Sequence, residues 1–242
     1  MLGVNSTRWF MSLALGVAIV FTVACAKTQG QPYKWLTEAQ EAALSNSVPP
    51  PPAQGSAEDK ADLAAVVAAE KARTPAIIAQ CEDDQRYSYT LFQSTYGTNL
   101  TLQTSPKFFQ LLENVIAATR AVNEVAKNKY QRMRPYQAHP DVVTALFPVG
   151  QFSYPSGHAM GSYTLALVLG AVFPEKKQAF LDRAAEIAQS RVYAGVHYPS
   201  DIKEGEVLGK ALGAAILANP AFQADLAEVQ TELKIRLRGV EF

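Results

Sequence analysis

The chain has 242 residues, 48% of them apolar and 18% charged, which suits a folded domain with a substantial core and excludes a chain that is disordered throughout. Lysine plus arginine and aspartate plus glutamate both number 22, so there is no broad positive field of the kind that holds nucleic acid. Any cation that matters must act locally.

In chain order, residues 1–26 read as an export signal: Arg8 is the positive leader, Met11 to Val23 are almost wholly apolar, and small residues follow at Ala24 and Ala26. The apolar run is too short to span a bilayer. Two processing outcomes fit. Ala24-Cys25-Ala26 has the small-x-small form of simple removal, whereas Thr22-Val23-Ala24-Cys25 resembles a lipoprotein box and makes Cys25 a lipidation candidate. Loss of Arg8 leaves 21 basic against 22 acidic residues, so the mature domain stays near neutral. Cys81 then has no disulfide partner and reads as an inert, buried thiol.

Residues 27–55 form an N-terminal arm. Its first part is polar with Trp35 and Leu36 as isolated apolar anchors, and Val48-Pro49-Pro50-Pro51-Pro52 must be extended. Either a stiff spacer or an ordered arm packed on the domain fits that composition.

The helical domain covers 56–242. Ser56 with acidic Glu58 and Asp59 opens a helix whose apolar residues Leu63, Val66 and Val67 recur at helical spacing. Thr74-Pro75 opens a second helix, expected to run to about Tyr96 and stop at Gly97, and Ser105-Pro106 opens a long one to about Lys129. Residues 130–154 are a loop rich in proline and glycine. Four further helices are predicted at about 156–172, 175–192, 199–217 and 220–237, and strand signal is weak everywhere. The predicted fold is all-α, a single helical bundle.

Three stretches carry chemistry. Pro155-Ser156-Gly157-His158 stands at a helix start, where Ser156 could simply cap, or where free backbone N–H groups and the Ser156 hydroxyl could hold an anion beside His158. Lys127 and Arg134, seven apart, lie in a basic run with Lys129 and Arg132; such runs are usually solvated, yet Arg and Lys are also the residues that grip a tetrahedral dianion. Ser190 to Asp201 brings Arg191, His197 and Asp201 within twelve residues, with Asp201 at a spacing that lets it fix the His197 tautomer. A capped core histidine would explain His197 alone. Joining the three stretches gives a nucleophilic imidazole, a second histidine for proton transfer, and cations for a phosphoryl group.

Lys127-x6-Arg134-Pro135, Pro155-Ser156-Gly157-His158 and Ser190-Arg191-x5-His197-x3-Asp201 together resemble the three-part signature of the type 2 phosphatidic acid phosphatase superfamily. Within it, the exported class A bacterial nonspecific acid phosphatases are the most similar, through Lys129 to Pro135, Ser153 to His158 and Asn219 to Gln223, over about residues 33–235. The resemblance implies an all-helical fold of the phosphatase and vanadium haloperoxidase type. It implies His197 as the nucleophile that becomes phosphohistidine, Asp201 as its orienter and His158 as general acid and base. Lys127, Arg134, Ser156, Gly157 and Arg191 would bind phosphate, and neither metal nor cofactor is implied.

Further expectations follow from it: small soluble phosphomonoester substrates, no nucleic-acid partner, no membrane span in the mature protein, and a place in the periplasm or envelope of a bacterium, lipid-anchored if Cys25 is modified. Oligomeric state is left open, homo-oligomers included. Two rivals remain, a vanadium-dependent haloperoxidase-like enzyme and a non-catalytic phosphate-binding lipoprotein. The chain departs from the class A pattern at Tyr193 and Ala194, where relatives commonly carry a disulfide cysteine, and after His158 and Asp201, where side chains such as Met160 and Tyr163 differ. His139 matches no motif position.

Overall fold

A computed structural model of the chain describes residues 35–239 apart from 98 and 151. The export signal, Cys25 and the arm up to residue 34 lie outside the described residues. Among those described, all regular structure is helical: α1 Glu38–Ser47, α2 Ala57–Lys71, α3 Pro75–Asp83, α4 Gln93–Tyr96, α5 Pro106–Tyr130, α6 Pro135–Ala138, α7 Gly157–Val172, α8 Lys177–Tyr193, α9 Pro199–Ala218 and α10 Pro220–Gly239.

The bundle is built around α7. A helix that is apolar on all sides must be enclosed, and twelve residues of α7 from Ala159 to Val172 are buried, with α5, α8 and α9 packed round it. Close approach of α9 depends on Gly205, Gly209 and Gly213, one per turn on a single face. A Cβ at Gly205 would sit 2.6 Å from the Ser156 carbonyl oxygen, and one at Gly209 2.3 Å from that of Met160. The glycines therefore let α9 lie directly on the α7 backbone, which brings the start of α9 beside the start of α7.

The helix starts are set as the sequence predicts. Ser56 accepts a hydrogen bond from the Asp59 N–H, Thr74 accepts one from Ile77, and Pro75, Pro106, Pro199 and Pro220 stand where no intrahelical donor is needed. Two predictions need correction. The second helix does not run to Tyr96: α3 stops at Asp83, and a 3-10 turn over Tyr89–Phe92 leads into the short α4. Asp84, fully buried, pairs with Arg183 of α8 and pins the chain where propensity alone would have continued the helix. The predicted loop 130–154 contains the one-turn α6.

The arm, from Trp35 on, is packed rather than spacer-like. Trp35 is 1% exposed, stacks edge-on against Phe222 and donates its indole N–H to Asp225 at 2.8 Å. The unforeseen helix α1 follows, started by a Thr37 and Gln40 capping box, and its Ser45 hydroxyl donates to the Val122 carbonyl of α5. The proline run is held by the Tyr130 hydroxyl on the Val48 carbonyl and the Tyr154 hydroxyl on that of Pro49. No helix among the described residues is long and apolar enough to cross a membrane.

Candidate active site

Five elements converge on one cavity of about 290 Å³ lined by Tyr87, Asn123, Lys127, Arg134, Gly157, His158, Arg191 and His197, among others. Lys127 comes from the last turn of α5. There Gln131 takes a left-handed conformation (φ 50°) and turns the chain back, so that Arg134 faces the same space. Gly157 and His158 open α7, Arg191 closes α8, and His197 sits on the turn between α8 and α9.

His197 is 2% exposed, and its two nitrogens have distinct surroundings. Nδ1 lies 3.1 Å from Asp201 Oδ2, which also accepts the Ser153 hydroxyl and the Tyr198 N–H. Nε2 lies 3.1 Å from an Arg134 guanidinium nitrogen. Arginine can only donate, so Nε2 is the acceptor and the ring proton is on Nδ1, facing the carboxylate. Burial, followed by the fields of Arg134, Lys127 and Arg191, holds the imidazole neutral, well below its usual range.

His158 stands on the same cavity with Tyr87 against its edge, ring centroids 5.7 Å apart. Its Nε2 has no hydrogen-bond partner among the described residues. Burial, Arg191 and His197 push its pKa well down too, against a backbone contact at Gln85 that works upward.

Each cation is buried at a cost. Lys127, 5% exposed, donates to the carbonyls of Phe152 and Ser153, and burial together with Arg134 brings its ammonium down to about 7. Arg134 donates to the carbonyls of Val196 at 2.7 Å and Gly150 at 3.2 Å. Arg191 is wholly buried, its Nε lacks a partner, and burial with Arg134 nearby brings it down to about 10. Like charges packed so closely repel, and an anion between them removes the penalty.

Of the site residues expected from the sequence, Lys127, Arg134, Gly157, His158, Arg191 and His197 line the cavity. Asp201 lies behind His197, wholly buried. The Ser156 hydroxyl accepts from the Ala159 N–H at 3.3 Å as an N-cap and does not line the cavity. His139 ends α6 and is not on the cavity either, and Lys129 is exposed beside the Tyr130 ring. Cys81 is buried against the Ser190 carbonyl, where burial raises its thiol pKa.

Sequence reasoning missed four contributors. Ser153 donates to Asp201, Asn123 crowds Gly157, Tyr87 braces His158, and Arg132, grouped with a solvated run, binds Asp201 Oδ1 at 2.8 Å. Beyond Tyr87 and Arg120 the cavity borders a second depression, whose walls include Glu82, Asp83, Arg86 and Glu113. Among the described residues no set of three or more His, Cys, Asp or Glu side chains is placed to hold a metal ion.

The curated relatives include non-specific acid phosphatases of Salmonella typhi, 34% identical over 150 residues and 59% of each chain, and of Providencia stuartii, 32% identical over 146 residues, 58% of this chain and 59% of that one. The chain thus spans about three fifths of the length of these relatives. Among solved structures, Aquifex aeolicus LpxE superimposes with a TM-score of 0.53 at 26% identity, over 65% of this chain and 94% of the other. A bacterial vanadium-dependent iodoperoxidase gives 0.56 at 20% identity, over 74% and 53%, and shares the fold. The sequence profile of the PAP2 superfamily matches residues 110–223, the span that holds Lys127, Arg134, His158, Arg191, His197 and Asp201, and over that span this chain is similar to that superfamily.

Proposed function

We propose that this protein is an exported acid phosphatase that hydrolyses small, soluble phosphomonoesters through a phosphohistidine on His197. The observation that carries the reading is the pairing of a His197 fixed as the Nδ1–H tautomer with an unpartnered His158 Nε2 on one cavity ringed by Lys127, Arg134 and Arg191.

The three cations and the backbone N–H groups at the start of α7 take the equatorial phosphoryl oxygens. A phosphoryl oxygen competes for the Arg134 donor now resting on Nε2, which frees that lone pair for in-line attack. The N–P bond forms as the ester P–O bond breaks, and His158 gives its proton to the departing alkoxide. His158 then removes a proton from water, the hydroxide attacks phosphohistidine, and inorganic phosphate leaves. Asp201 keeps the imidazolium that develops during attack in place, as the carboxylate of a catalytic triad does.

The proton on His158 arrives with the substrate. Burial, Arg191 and His197 oppose its protonation, whereas a bound phosphate monoester offsets the surrounding positive charge. The second ionisation of such an ester lies near about 6, so the monoanion that can bring the proton is lost above it. An acidic optimum follows. The charged walls of the neighbouring depression suit a polar leaving group.

The test is hydrolysis of p-nitrophenyl phosphate by the purified protein. Activity that survives EDTA, yields to vanadate and vanishes in His197→Ala supports the reading. Full activity in that variant sinks the mechanism. Peroxide-dependent halide oxidation on added vanadate would favour the haloperoxidase rival, and phosphate binding without turnover the binding lipoprotein.

A further inference from the structure

The catalytic carboxylate is held from two sides. Asp201 Oδ2 serves His197, Ser153 and Tyr198, while Oδ1 accepts from Arg132 at 2.8 Å. Without that second hold the carboxylate could turn about its own bond and lose the in-plane contact that aims the imidazole. Arg132 is immobilised in turn: its guanidinium lies 3.9 Å over the Tyr198 ring, donates to Ser200 Oγ at 2.7 Å, and reaches Asp62 at 2.9 Å and Asp59 at 3.4 Å on α2. Asp62 closes the circuit. It accepts the Ser200 N–H at 3.0 Å and the Ser200 hydroxyl, so it both balances Arg132 and caps the start of α9, one residue before Asp201.

Helix α2 braces the same turn from its other end. Arg73, just beyond the helix, donates to the carbonyl of Tyr193 at 2.6 Å, on the chain leading to His197, and to that of Thr144 at 2.8 Å in the loop after α6. Asp59, Asp62 and Arg73 all precede the span that the superfamily profile matches.

We propose that Arg132 and Asp62 are positioning residues for the phosphoryl transfer, a relay by which α2 fixes the angle of Asp201 and, through it, the aim of His197. The inference rests on the phosphatase reading above. Neither residue lines the cavity, so the relay acts on the nucleophile and not on phosphate binding. The alternative is that this ion-pair network merely ties α2 to α9, as buried pairs often do.

Charge separates the two accounts. The groups that bear on His197 are Lys127 from α5, Arg134 at the start of α6, His158 from α7, Arg191 from α8 and Asp201 from α9, with Arg132, Asp59 and Asp62 behind Asp201. Arg132 is among the cations that disfavour the imidazolium. Arg132→Gln removes it and should move the acid limb of kcat/KM to higher pH. Asp62→Asn removes an opposing negative charge and should move the limb to lower pH.

The experiment compares Arg132→Lys, Arg132→Gln and Asp62→Asn with the full-length wild type on p-nitrophenyl phosphate. It adds vanadate inhibition, thermal melts and ¹⁵N-histidine NMR. A misaimed nucleophile costs about 10²-fold in rate, so Arg132→Gln is expected to lose kcat on that order while vanadate inhibition changes less than about threefold. Arg132→Lys should recover part of the rate, because the charge returns without the fork. The Nδ1-protonated His197 signal should weaken in Arg132→Gln. Folded variants with wild-type kcat, or limbs displaced the same way by both substitutions, overturn the relay. An inactive wild type would overturn the phosphatase reading instead, and the His197 signal would still report on the relay.

Discussion

The contact between α7 and α9 gives a test with a calculable size. Replacing Gly209 by alanine puts a Cβ 2.3 Å from the Met160 carbonyl oxygen and 2.9 Å from Met160 C and Cα. All three atoms are backbone, so no rotamer change relieves the clash. To restore 3.4 Å, the near edge of ordinary contact, the helices must part by about 1.1 Å. Overpacking costs typically about 1–3 kcal/mol, and alanine returns about 0.5–1 kcal/mol of helix propensity. The net loss is about 1 kcal/mol, or roughly 2–4 °C in melting temperature for a domain of this size. The same parting separates His158, at the start of α7, from His197 and Asp201, at the start of α9. A displacement of about 1 Å costs on the order of 10²-fold in rate. Gly213→Ala is the internal control, since its new Cβ meets the end of the Leu167 side chain at 2.7 Å, which can rotate away; it should cost less than about 1 kcal/mol. Scanning calorimetry and p-nitrophenyl phosphate kinetics read both. A Gly209→Ala protein with wild-type melting and kcat, or one no worse than Gly213→Ala, refutes the reasoning.

Three other outcomes are expected. Because burial and Arg134 bring Lys127 down to about 7, its ammonium is lost above that pH, and an anion that needs it must bind together with a proton. Calorimetry of phosphate binding at pH 8 in buffers of different ionisation heat should show uptake approaching one proton, with affinity falling as pH rises; zero uptake would contradict the assignment. Trp35→Ala deletes a buried indole and its bond to Asp225, so it should destabilise by about 3–5 kcal/mol with kcat of the folded fraction near wild type, as read by melts and kinetics. For two substrates whose phosphates differ in their second ionisation, the basic limb of kcat/KM should follow the substrate; a limb fixed on the protein would place the proton elsewhere.

Much of the site was legible because its chemistry is local in sequence. The four-residue interval from His197 to Asp201 puts the carboxylate one helical turn beyond the imidazole, and the Ser156-Gly157 helix start is visible as a capping pattern. The convergence of Lys127, Arg134, His158, Arg191 and His197 followed from the motif resemblance, and the α7 to α9 packing is what achieves it. What was missed depends on distant partners. Arg132 looked like part of a solvated run because its carboxylates, Asp59, Asp62 and Asp201, are up to 73 residues away. The break after Asp83 has no proline or glycine to announce it and is set by Arg183 on α8. Helix α1 carried a readable sign, Thr37 three residues before Gln40, but too few apolar residues to show a face. Ser156 was assigned two roles from sequence, and in the structure its hydroxyl performs the capping one.

The central claim is the covalent intermediate, and the most direct measurement is to trap it. Rapid mixing of the protein with p-nitrophenyl phosphate at mildly acidic pH, an alkaline quench that preserves phosphohistidine, and peptide mass spectrometry should find the phosphoryl group on the peptide that contains His197. Burst release of p-nitrophenol should match its amount. No label during steady turnover, label on another residue, or continued turnover by His197→Ala would contradict the account.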